Sequence, residues 1–116
     1  MEIDDAFMRA RLGRMRAYVL VIMRKGPAYE DPDIRSAAQK AIIWDHGRRN
    51  MRLQAEGIMP LVGPVGGGDD LVGICVFSVP EDDVRRLMDD DGAVQAGVLA
   101  YEVMNWFVAP GDRLPG

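Results

Sequence analysis

The chain has one cysteine and one histidine in 116 residues. A single cysteine excludes an internal disulfide framework and a zinc site built from clustered thiolates. A single histidine excludes any site that needs two imidazole ligands from one chain. There is no basic block, and 14 Lys and Arg stand against 18 Asp and Glu, a net charge of −4. That balance argues against a nucleic-acid partner. No apolar run approaches the roughly 18 residues of a membrane span. The opening residues Met1 to Asp5 are acidic where a secretory signal would be basic. The three glycines Gly66 to Gly68 are not followed by the Lys and Ser/Thr of a phosphate loop. The expectation is a small, soluble cytoplasmic domain, off the membrane, with no metal and no organic cofactor.

What is present is a globular composition, 48% hydrophobic and 28% charged, with one domain's worth of length. Residues 1–15 form an extension. Within it Ile3, Phe7 and Ala10 share one helical face, and Met8, Leu12 and Met15 lie on a stripe beside it. The pattern predicts a short amphipathic helix that packs on the domain or on a partner chain. Residues 16–108 form the main domain. Arg16 to Arg24 reads as a strand, ended by Gly26-Pro27. A long helix is predicted over 33–55, with Asp33 as N-cap and Gly57 at the left-handed C-terminal position. Ala38, Ile42, His46, Arg49 and Leu53 share one of its stripes. Gly47 sits mid-helix at a cost of about 1 kcal/mol, which predicts close approach of another element there. Strands follow at 58–65 and 71–78, joined by a Gly/Asp hairpin. Pro80 opens a helix whose first turn carries Glu81, Asp82 and Asp83. Asp91 is the expected cap of a further turn closed by Gly97, and 98–108 is the last strand. Residues 109–116 form a Pro/Gly-rich tail.

The order is β-α-β-β-α-β, a ferredoxin-like α+β fold. Two helices cover one face of such a sheet, yet the strands at 16–24, 71–78 and 98–108 are apolar on both faces. The second face predicts sheet-to-sheet homodimerisation, the alternative being that the N-terminal helix covers it.

Three stretches resemble the YCII-related (YciI-like) family. They are His46-Gly47-Arg48-Arg49-Asn50-Met51-Arg52-Leu53-Gln54-Ala55-Glu56-Gly57, then Gly63-Pro64, then Asp91-Gly92-Ala93-Val94-Gln95-Ala96-Gly97-Val98. Trp106 near the end also fits. The similarity spans about Arg16 to Val108. Where the family has Pro after the motif aspartate this chain has Gly92, and where an aromatic follows it has Ala93, which leaves room for a wider pocket. The resemblance implies a dimeric α+β barrel and a catalytic His46/Asp91 pair. One branch of the family eliminates HCl from a chlorinated hydroxyhydroquinone.

Residue chemistry gives this pair two readings. His46 has the one side chain whose ordinary pKa lies near neutrality, and a carboxylate on one ring nitrogen would free the other for proton transfer. Equally, His46 is a hydrogen-bonded core histidine and Asp91 a plain helix cap. Glu102, in an apolar strand, is either a buried acid or an edge residue in water or a dimer salt bridge. Trp44, Asn50, Tyr101, Glu102 and Trp106 are the candidate substrate-binding residues, although the two tryptophans also suit a core. Cys75 reads as an inert buried thiol. The function expected is cofactor-free elimination, dehydration, isomerisation or cyclisation of a small enolisable or phenolic, polyketide-like molecule. The alternatives are a non-catalytic ligand-binding or protein-interaction module and, behind it, a cofactor-free monooxygenase.

Overall fold

A computed structural model describes all 116 residues. Helix α1 spans Asp5–Gly13, strand β1 Arg16–Lys25, and a 3-10 turn Pro32–Ile34. Helix α2 spans Ala37–Ala55, β2 Leu61–Pro64, β3 Leu71–Phe77, α3 Glu81–Asp89, α4 Gly92–Gln95 and β4 Leu99–Val108. The four strands form one antiparallel sheet in the order β2-β3-β1-β4. This is the ferredoxin-like α+β arrangement expected from the element order. No helix is long and apolar enough to cross a membrane.

Period-two alternation assigns the strand side chains to faces. On the helix side Val19, Val21 and Met23 of β1 pair across to Phe77, Cys75 and Gly73 of β3. With Leu53, Met59, Val84, Met88, Ala93, Val98 and Leu99 they build the core. On the other side lie Leu20, Ile22, Ile74 and Val76, with Leu61, Met104 and Trp106 around them. Leu61, Met104 and Trp106 keep 39%, 41% and 43% of their surface exposed. Ile22 and Val76 at its centre are buried, while its rim is open to solvent.

The N-terminal helix does not cover it. None of the residues of α1 is buried, and its tertiary hydrogen bonds are Arg11 to the Asp112 carboxylate and Arg14 to the Pro110 carbonyl. Packing of this helix on its own domain is therefore corrected. It stands beyond the ends of β1 and β4, where Arg16–Tyr18 pairs with Trp106–Val108 and β3 no longer accompanies them.

Other boundaries moved for local reasons. The long helix starts at Ala37, not Asp33, because Ser36 caps it by accepting from the Gln39 N–H. Glu30 holds that cap through the Ser36 N–H and hydroxyl. Gln39, not Ala38, begins its inner stripe: Gln39 is buried and tethers the preceding loop at Ala28 and Glu30. Strand β2 is shorter than expected, since Ile58 and Met59 complete the helix exit. There the Ile58 and Gly57 N–H groups bond Leu53 and Gln54 carbonyls, with Gly57 at φ 75°. That is the Schellman closure its glycine predicts. The short turn after Asp91 closes the same way, with Gly97 at φ 72°.

Candidate functional site

Two caps place the central pair. Asp91 lies between α3 and α4 and caps the second, its Oδ1 accepting from the Ala93 N–H at 3.0 Å. A cap residue has extended backbone, which aims its side chain back over the helix start. The second carboxylate oxygen, Oδ2, is thereby left to face α2. There His46 Nδ1 lies 2.6 Å away and donates to it. Nδ1–H to a carboxylate leaves Nε2 as the lone-pair nitrogen, and the Asn50 amide donates to that nitrogen at 3.2 Å. Asn50 stands one turn beyond His46 on the same helix face, so the contact follows from helical spacing. The three residues form one chain of hydrogen bonds: carboxylate, imidazole, amide.

Burial is uneven along that chain. Asp91 is 1% exposed. The His46 side chain retains 16% of its surface. Burial alone would raise the Asp91 carboxyl. The His46 hydrogen bond and charge, the Ala93 N–H and the Arg49 guanidinium together outweigh it and hold the group below the usual carboxylate range. Arg49 is 3.9 Å from Asp91 Oδ2 and is fixed by a hydrogen bond to the Leu87 carbonyl at 2.6 Å. The carboxylate is thus ionised, dry and held from three sides.

His46 and Asn50 open onto a cavity of about 330 Å³ between α2 and the sheet, walled chiefly by apolar side chains. That volume suits a small organic molecule. Met59, Phe77 and Leu99 floor it, and Cys75 contributes a thiol. Desolvation, with the Asp91 charge behind it, pushes that thiol up to about 12, so it stays protonated as expected of a buried cysteine. No group of three or more His, Cys, Asp or Glu side chains gathers to hold a metal ion.

The remaining candidates lie elsewhere. Trp44 precedes His46 by two residues, about 200° around the helix, and is 71% exposed on the outer surface. Glu102 and Trp106 fall on the open face of the sheet, by the alternation of β4. Glu102 is ion-paired there with Arg24. Tyr101 is on the helix side, but its hydroxyl donates to Asp89 Oδ1 at 2.6 Å and it does not line the cavity. That bond gives a reason for Asp89 at a helix C-terminus, where an acid is otherwise unfavourable. None of Trp44, Tyr101, Glu102 and Trp106 lines the cavity at His46.

Gly47 is also corrected. A Cβ built on it meets nothing within 4 Å, so no element packs against it. It borders the cavity instead. Gly47→Ala is expected to stabilise the fold by up to about 1 kcal/mol, by relief of backbone entropy. The added methyl would also narrow the cavity and weaken ligand binding. Urea denaturation and ligand titration on the same variant check both halves, and a destabilised variant contradicts the reading.

Arg35 was not singled out by the sequence. It borders the same cavity from the turn before α2. No periodic pattern marks it, because it precedes the helix.

No family model and no curated protein matches the sequence. Among solved structures, the chain is similar to 5-chloro-2-hydroxyhydroquinone dehydrochlorinase from Burkholderia phenoliruptrix, in complex with 2,5-dihydroxybenzoquinone. The identity is 19% and the TM-score 0.47, over 76% of this chain and 92% of that one.

Proposed function

We propose that this chain is a small-molecule acid–base enzyme in which Asp91 orients His46 and His46 Nε2 takes and returns a proton. The observation that carries this reading is the Asp91–His46 hydrogen bond beside a cavity that His46 and Asn50, the partner of its second ring nitrogen, both line. A core histidine would have both nitrogens spent on fixed partners. Here the partner of the second nitrogen is a side-chain amide that itself lines the cavity. Asn50 also suits both protonation states, since its nitrogen donates to a bare Nε2 and its oxygen accepts from a protonated one.

The chemistry open to such a site is abstraction of a proton from an enolisable or phenolic substrate. Elimination, dehydration, isomerisation and cyclisation all begin that way. The resemblance to the YCII-related family points to the same two residues. A non-catalytic binding module is the second reading, favoured by the unpacked α1. The two differ in one experiment: hydrogen–deuterium exchange at carbon, followed by NMR, on a panel of enolisable ketones and phenols in heavy water. The enzyme reading expects protein-dependent exchange in at least one class. Bound but unexchanged ligands across the panel favour the module.

We further propose a homodimer through the open sheet face. Its support is the contiguous apolar set Leu20, Ile74, Leu61, Met104 and Trp106, of which Leu61, Met104 and Trp106 are exposed. The two-stranded end of β1 and β4 also lacks the third strand that independent stability needs. Trp106→Asp is expected to convert a dimer to a monomer in light scattering, because a charge placed in an apolar interface must be desolvated. A mass unchanged by the substitution contradicts this interface.

A further inference from the structure

Arg35 is the arginine at the cavity whose charge no carboxylate of the protein pairs. Its Nη2 donates to the Glu30 carbonyl at 3.0 Å, and its guanidinium stacks 5.1 Å from the centre of the Tyr29 ring. These two contacts fix the plane of the group. Its Nε–H is buried and has no partner in the protein. No carboxylate forms an ion pair with it within 4.0 Å, whereas the second arginine bordering the site, Arg49, lies 3.9 Å from Asp91. Glu30 is the nearby acid, but its carboxylate is turned to the Ser36 N–H and hydroxyl. Those bonds first, and the Arg35 charge after them, keep it ionised below its ordinary range. Arg49, the other cavity arginine, is engaged by Leu87 and Asp91.

A buried donor on a charged group costs stability while it is unsatisfied. The group is retained here, oriented by Tyr29 and Glu30, at the edge of a cavity whose walls are otherwise mainly apolar. An anionic oxygen from a ligand is the partner that satisfies the unpaired charge of a guanidinium lining the cavity. We infer that Arg35 is the anion-binding residue of this cavity and that its ligand is a small organic carboxylate. Arg35 serves the same cavity as His46, and the inference rests on the acid–base reading for what happens to the ligand. It sorts substrates within that reading: enolisable or phenolic acids above neutral ketones and phenols.

The test is a binding measurement and needs no turnover. Salicylate and 4-hydroxybenzoate are each titrated against the corresponding amide, which has nearly the same shape and no charge. Wild-type protein is expected to bind at least one carboxylate about tenfold or more tighter than its amide, as one charge-assisted hydrogen bond would give. In Arg35→Gln the preference should fall to about twofold or less, and Arg35→Lys, which keeps charge without the planar guanidinium, should fall between. In His46→Gln it should persist.

Carboxylates that gain nothing over their amides, whether both bind or neither does, overturn the assignment. So does a preference retained in Arg35→Gln, or one lost in His46→Gln alone, which would transfer the anion to the imidazole. A preference that follows Arg35 while no carbon acid exchanges its proton keeps the anion site and removes the enzyme reading.

Discussion

Replacing His46 by glutamine is expected to reduce turnover by about 10²- to 10⁴-fold, the usual worth of a positioned acid–base group. Glutamine retains an amide N–H that can donate to Asp91, so the buried carboxylate keeps a partner. It cannot accept a proton at pH values where proteins fold. The substitution thus separates chemistry from structure. His46→Ala is the harsher variant, since it strips Asp91 of its 2.6 Å partner and leaves the carboxylate to Ala93 and Arg49. It should lose activity and also some stability. Equal turnover in wild type and His46→Gln would remove the imidazole from the mechanism, whatever the cavity holds.

Asp91→Ala is expected to cost about 2.5–4 kcal/mol of unfolding free energy. Loss of an N-cap accounts for about 1 kcal/mol. Loss of a hydrogen bond between ionised or ionisable partners accounts for about 1.5–3 kcal/mol more. Asp91→Asn keeps the cap oxygen and isolates the charge. The sign of the pH dependence follows from the lowered carboxyl. The unfolded chain binds the proton more readily than the folded one, so Asp91 stabilises fully above its unfolded value of about 3.9. That contribution disappears as the pH falls through the lower, folded value. Urea denaturation should therefore show wild type well above Asp91→Asn near neutrality, with the gap closing in acid below about pH 4. A gap that is constant with pH would mean that the charge on Asp91 contributes nothing to stability.

Much of this site is legible in the sequence. Helical spacing put His46 on the inner stripe with Ile42, Arg49 and Leu53, and Asp91 was readable as a cap because a glycine-closed turn follows it. What could not be read was that cap and stripe meet, since 45 residues and two strands separate them. Residues one or two positions from the key ones were harder. Trp44 belongs to the same helix as His46 but to its outer side, and aromatic character alone does not reveal helical phase. Glu102 and Trp106 sit on alternate positions of β4 from Tyr101. The sequence shows that the two sets oppose each other but not which set meets the helices, because both are partly apolar.

The loop before the long helix was the least legible part. Asp33 and Ser36 are both good caps by residue type, and the choice between them rests on Glu30, which reaches forward to Ser36. The same choice places Arg35 outside the helix and beside the cavity. Gly47 illustrates the opposite ambiguity. A glycine in a helix signals missing bulk, and that signal is the same for a packed neighbour as for an open pocket.

The most direct test of the central claim uses the fact that the chain has a single histidine. Its imidazole nitrogens are therefore assignable without ambiguity in a nitrogen-15 spectrum. The Asp91–His46 arrangement predicts a proton on Nδ1 with a far-downfield resonance, and an Nε2 that binds its proton reversibly and faces the cavity. That resonance should vanish in Asp91→Asn. An Nε2-protonated tautomer at neutral pH, with no downfield Nδ1 proton, would contradict the account, because the nitrogen turned toward the cavity would then have no lone pair to offer.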